Sequence, residues 1–190
     1  MAGVAAAWLA DLVPGERAWR IAPEPASRAE RAGGGLTLIC AGLAVLPDVD
    51  LLVGGHRTIT HSLGALLFVG LFAAALSANA ERPIVRVSLM CAAAYGTHLL
   101  LDWLGADRFP PRGIALLWPL TDEWFISGLD VFRQTARQEF LTAPIILQNL
   151  KAVVQEVVIL GPALAALWLV RVETLAGLAA EVPRGDHPAQ

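Results

Sequence analysis

Apolar runs of helical length alternate along the chain with short polar breaks. Gly35 to Leu46 is almost wholly apolar and stops at Pro47, which biases the residue before it away from helix. Leu63 to Ala78 is apolar throughout; Thr60 reads as its N-cap, with His61 and Ser62 in the first turn. Asn79 to Pro83, carrying Glu81 and Arg82, is a polar turn, after which Ile84 to Leu104 runs back. Val153 to Val170 is a further run, interrupted by Gly161-Pro162 and carrying Glu156. A hydrocarbon layer of about 30 Å takes about 20 apolar residues. The pattern therefore predicts an all-α, multi-pass transmembrane bundle of about four spans, the first of them short, with interfacial helices. It forms one membrane-embedded domain over residues 1–180 and a disordered polar tail over 181–190.

The intervening segments fit that frame. Met1 to Val13 is apolar but lacks an early positive cluster, which predicts a short interfacial or re-entrant helix rather than a cleaved signal peptide. Residues 14–32, broken by prolines and carrying four arginines, read as a polar connection on a membrane face. After Gly105 the chain is too polar and proline-rich to span. With Trp103, Trp118 and Trp124 beside it, it reads as an interfacial lid, followed by an amphipathic surface segment over Asp130 to Phe140.

This threading has a chemical consequence. The end of the first span, the start of the second and the end of the third must lie on one membrane face. Those ends carry Asp48 and Asp50, then His56, Arg57 and His61, then His98 and Asp102. His98 and Asp102 are four apart and share a helix face that can point at the 48–61 loop.

Composition supports the membrane reading. Across 190 residues the mean hydropathy is +0.57, with few charges and a net charge of -3, so no basic field suggests a nucleic-acid partner. Cys40 and Cys91 lie in apolar runs without Cys-x-x-Cys spacing and read as core residues.

Asp48, Asp50, His56, His61, His98 and Asp102 are the candidate metal ligands. Mixed imidazole and carboxylate donors suit zinc, with manganese or iron as alternatives. So many donors leave one ion or two open. A helix N-terminus at His61 would keep its imidazole neutral and able to coordinate. Arg57 is placed to orient an anionic substrate group, or else serves as a topology residue. Asp48 and Asp50 also read as turn formers, and His98 with Asp102 as a satisfied intramembrane pair. Ionisable groups in spans are costly, however, and the threading gathers these in one place. Asp107, Asp122, Glu123 and Asp130 read as solvated charges, with base or lid roles as the alternative.

The elements Leu-Pro-Asp-Val-Asp, His-Arg-Thr-Ile-Thr-His-Ser, His-Leu-Leu-Leu-Asp-Trp-Leu-Gly and Gly-Ile-Ala-Leu-Leu-Trp-Pro-Leu, within Gly35 to Phe132, together resemble the inner-membrane metal-dependent hydrolases also described as LexA-binding. They are distantly similar to zinc-dependent phospholipase C enzymes. The resemblance implies a multi-pass protein of the bacterial inner membrane, a hydrolytic site at the six ligand candidates, and a lipid-like or phosphoester substrate. Members of that family often carry a histidine near the N-terminus; here the first is His56, and Asp11 is the nearest substitute.

The expected function is thus a membrane-embedded metal-dependent hydrolase, with Arg57 and Asp102 in catalytic roles and membrane lipids as surroundings. The alternative is a non-catalytic membrane adaptor whose metal is structural and whose partner is a regulatory protein. A transporter would need polar residues through the depth of its spans, and the second is nearly free of them.

Overall fold

The break at Pro47 and the polar face ending the third apolar run organise the architecture. The computed structural model describes residues 1–12, 33–53, 57–136 and 141–181, without the side chains of 11, 53 and 175–181. Among the described residues five α-helices are present: α1 (Ala2–Leu12), α2 (Gly35–Leu43), α3 (Leu63–Asn79), α4 (Ile84–Leu104) and α5 (Ala143–Glu181). Two 3₁₀ segments, Leu46–Val53 and Ile59–His61, lie between α2 and α3. No strand forms among the described residues, although two isolated β-bridges, Gly105 to Phe132 and Ile114 to Phe125, stitch the segment after α4.

α4 is the centre of the bundle. Val87, Cys91, Ala94, Tyr95 and Leu99 recur at helical spacing and are buried. His98 and Asp102 continue that same stripe to the end of the helix. α1 packs into the bundle through Ala7, which meets Cys40 of α2 and Met90 and Ala94 of α4 in a core of small side chains. A Cβ on Gly3 would overlap the Cys40 carbonyl and the Ala44 Cβ, so the close approach of α1 to α2 requires glycine there. On the other side Trp8 stacks under the Arg171 guanidinium of α5, 5.9 Å from its ring centre. At 11 residues, about 16 Å long, α1 is too short to cross a bilayer and enters the bundle as a short arm.

The outer surfaces are apolar. Leu67, Phe68, Leu71 and Phe72 on α3 and Val153, Val154, Val157 and Val158 on α5 are exposed, a surface that only a lipid solvent would tolerate.

The span count is lower than the sequence pattern suggests. Among the described residues two helical stretches, Ile84–Leu104 and Ala143–Thr174, are long and apolar enough to cross a membrane. A third counts only if Gly35–Leu43 and Leu46–Leu52, bent by 49°, form one broken span. α3 has 17 residues, about 25 Å against about 30 Å of hydrocarbon. Among the described residues the expected four becomes two or three, because the 3₁₀ segments Leu46–Val53 and Ile59–His61 replace the adjoining ends of α2 and α3.

α5 also departs from expectation. It begins at Ala143 and runs unbroken through Pro162. Proline removes one ladder hydrogen bond, but in an apolar medium the remaining bonds have no water to compete with, so the helix continues. Residues 130–136 contain no helix, and 137–140, the rest of the expected amphipathic segment, lie outside the described residues, as does the tail after Glu181. α3 starts at Leu63 with Ser62, not Thr60, as N-cap: Ser62 Oγ accepts from Ala65 N at 3.1 Å.

Candidate metal centre

α2 stops early because Pro47 has no N–H with which to tighten the turn onto the Ala44 carbonyl. That carbonyl turns instead to His98 Nδ1, 2.9 Å away. A carbonyl only accepts, so Nδ1 carries the proton and His98 Nε2 presents a lone pair. The following 3₁₀ segment advances about 120° per residue, which sends Asp48 and Asp50 in different directions. Asp48 Oδ1 lies 3.5 Å from His98 Nε2 and 3.6 Å from His61 Nε2. Asp50 Oδ2 lies 3.3 Å from the opposite ring nitrogen, His61 Nδ1.

His61 is held on that side by a second group. The Thr60 hydroxyl donates to Asp50 Oδ2 at 2.8 Å and sits 3.1 Å from His61 Nδ1. Its proton is spent on the carboxylate, so Nδ1 is the donor and Nε2 faces Asp48 and Asp102. A carboxylate behind the far nitrogen is the usual way a metal-binding histidine is oriented. Tyr95 hydroxyl donates to the Thr60 carbonyl and pins this turn to α4.

Among the described residues, one donor atom each from Asp48, His61 and His98 lie within 4.8 Å of one another, a group that could hold a metal ion, and Asp102 Oδ2 flanks the two imidazoles. Asp102 Oδ2 is 3.3 Å from His61 Nε2 and 3.6 Å from His98 Nε2. The two rings meet edge to face, with centres 5.1 Å apart. These separations decide between two uses of such a cluster. Charge-assisted hydrogen bonds close to about 2.7–2.9 Å, and all four contacts are longer. Donors about 2.0–2.1 Å from a tetrahedral ion are about 3.3 Å from one another, and the four carboxylate-to-imidazole separations, 3.3–3.6 Å, lie near that value. His98 Nε2 and Asp102 Oδ2 are buried and have no hydrogen-bond partner among the described residues. The residues therefore fit a small divalent cation with nitrogen and oxygen donors. Access is one-sided: the Asp48 side chain is 44% exposed, whereas His61 is fully buried.

Electrostatics in the metal-free state run against the expectation that a helix terminus keeps His61 neutral. Burial lowers its proton affinity, but the facing carboxylates of Asp102 and Asp48, with the charge of Asp50 behind the ring, outweigh burial and push its pKa up to about 9. His61 precedes α3 instead of lying in its first turn, so carboxylates surround it, not helix N–H groups.

A model of the YdjM inner membrane protein family matches residues 1–177. The chain belongs to that family. Every element that builds the centre lies within the YdjM match, which extends from α1 into α5. No curated protein and no solved structure matches the chain. The YdjM assignment agrees with the apolar exterior and makes this a membrane protein; the family description names no reaction.

The remaining site candidates of this YdjM chain divide clearly. His56 lies outside the described residues, and so does the Asp11 side chain. Arg57 is buried, with Nη2 on Asp102 Oδ1 at 2.8 Å and Nη1 on Asp107 Oδ2 at 2.7 Å. Its backbone is left-handed, φ 59°, held there by Ala115 N donating to its carbonyl at 3.1 Å. Asp107, which the sequence presents as a solvated charge, has a fully buried side chain. One signal for it was available: an arginine inside an apolar protein needs carboxylate partners, and Asp107 directly follows the helix that carries Asp102.

Proposed function

We propose that this membrane protein is a metal-dependent hydrolase that uses Asp48, His61, His98 and Asp102 to hold one zinc ion and acts on a lipid-like or phosphoester substrate. The observation that supports it best is the grouping of Asp48, His61 and His98 donors within 4.8 Å of one another, with Asp102 Oδ2 3.3 and 3.6 Å from the two imidazoles, in a membrane protein. Zinc, when bound, lowers the pKa of water toward about 7 and polarises a scissile bond. The protein's own groups do the rest. Asp50 and Thr60 lock the His61 ring, and the Ala44 carbonyl locks His98, so both Nε2 atoms face the cluster in fixed orientations. The half-exposed side of Asp48 is where water and substrate enter. Arg57 contributes through Asp102 rather than by meeting the substrate's anionic group, since both of its terminal nitrogens already hold carboxylates.

A second reading follows from the same donor count. Four protein ligands close a tetrahedral shell, as in structural zinc sites, whereas hydrolytic sites keep a position open. The chain would then be a membrane adaptor that binds a regulatory protein. Zinc-loaded protein in liposomes, assayed for headgroup release from phospholipids and for cleavage of soluble phosphoesters, separates the two. Turnover that disappears on chelation and in His98→Ala supports the hydrolase. Full zinc loading without turnover on any ester supports the adaptor.

A further inference from the structure

Asp107 sits two contacts away from the donor cluster and is unusually well held. Its Oδ2 accepts from Arg57 Nη1 at 2.7 Å and Gly113 N at 3.2 Å, and its Oδ1 accepts from Phe109 N at 3.2 Å and Gln134 Nε2 at 3.3 Å. Four donors converge on one fully buried carboxylate, which fixes it in place. Gly113 can approach because its φ is +95° and a Cβ there would overlap the Phe125 carbonyl.

The consequence lies at Arg57. A guanidinium beside a carboxylate prefers to grip both oxygens with two parallel N–H bonds. Here it does not. Asp107 draws Nη1 away, so Nη2 alone reaches Asp102, on Oδ1. Asp102 Oδ2 is left facing the two imidazoles and makes no hydrogen bond among the described residues. Without Asp107, the arginine would be free to pivot onto both oxygens of Asp102 and take the one that the cluster uses.

We propose that Asp107 is a positioning residue: it restrains Arg57 to one-point contact with Asp102 and thereby keeps Asp102 Oδ2 available to a metal ion. The proposal rests on the metal reading of the cluster and adds to it the segment after α4, which brings Asp107, Gly113 and Gln134 to the same point. Charge and geometry act in the same direction, since removing the Asp107 carboxylate also leaves the neighbourhood of the cation more positive.

The test is zinc affinity of the full chain in detergent, by competition with a chromophoric chelator, for the parent, Asp107→Asn and Asp107→Asn/Arg57→Gln. Asp107→Asn is expected to weaken zinc binding by about 10- to 100-fold. The double variant is expected to recover most of that loss, because the residue that would capture Asp102 is gone. A purely structural role for Asp107 predicts no such recovery, so a double variant as weak as the single one overturns the proposal, as does an Asp107→Asn protein that binds like the parent. Parent protein that binds no zinc removes the metal reading itself. If Asp107→Asn does not elute as a single species, Arg57→Gln alone carries the test: retained affinity supports a restraining role, and a loss of about tenfold or more overturns it.

Discussion

Loading the centre has to displace a proton from His61, and this makes metal affinity steeply dependent on pH. An imidazole coordinates only when neutral, and in the metal-free protein Asp102 and Asp48 hold the His61 pKa at about 9. At pH 7 about 1% of the rings would be neutral, so apparent affinity sits about 100-fold below its limit. It is expected to climb about tenfold, or 1.36 kcal/mol, per pH unit from about pH 6.5 to about pH 9 and then level off. Stability of the metal-free protein moves the other way. Its folded pKa lies above the ordinary value of 6.5, so the contribution of His61 is complete below pH 6.5 and is lost as pH rises through about 9. Calorimetric titration with zinc at pH 7.5, in two buffers of different ionisation enthalpy, counts the released protons. At least about one per ion is expected. Release near zero, with affinity flat from pH 6.5 to 9, would refute the placement of a protonated His61 among carboxylates.

Other expectations follow from single contacts. Asp50→Asn leaves the donors of the cluster in place but weakens the carboxylate behind His61, and should lower zinc affinity about 10-fold or more with little change in fold; equal affinity by chelator competition would show that Asp50 does not orient the ring. Ser62→Ala removes the cap of α3 and should cost about 1 kcal/mol in thermal unfolding of the detergent complex. Gly113→Ala forces a side chain into a left-handed position against the Phe125 carbonyl, a strain of about 1–3 kcal/mol; protease sensitivity of the 105–136 segment should rise, and unchanged cleavage would contradict that packing.

Much of the centre was legible because its parts obey simple periodicities. α4 carries a clean apolar stripe over 21 residues, and His98 and Asp102 stand one turn apart on it. Two apolar helices reversing at Asn79 to Pro83 then bring the 48–61 loop to the same end. What periodicity does not carry is direction over short distances. Asp48 and Asp50 look equivalent in sequence, and only the 3₁₀ geometry after Pro47 sends one to the donor cluster and the other behind His61. Asp107 looks solvated because its partner, Arg57, is 50 residues away. Ser62 outcompetes Thr60 as cap because the Thr60 hydroxyl is engaged by Asp50. The span count was overestimated for a physical reason too: hydropathy registers an apolar run, whereas the site draws the ends of α2 and α3 out of helix and leaves both short.

Asp48, His61 and His98, with Asp102 beside them, are proposed to form one metal centre. Elemental analysis of the detergent-purified protein, beside a His61→Ala/His98→Ala variant that elutes as the same species, tests it most directly. The account predicts about one divalent ion per chain, zinc before manganese or iron, and none in the variant. Parent protein that stays metal-free after incubation with zinc at pH 9, where His61 deprotonates, would contradict the account and leave the cluster as a hydrogen-bonded network of histidines and carboxylates.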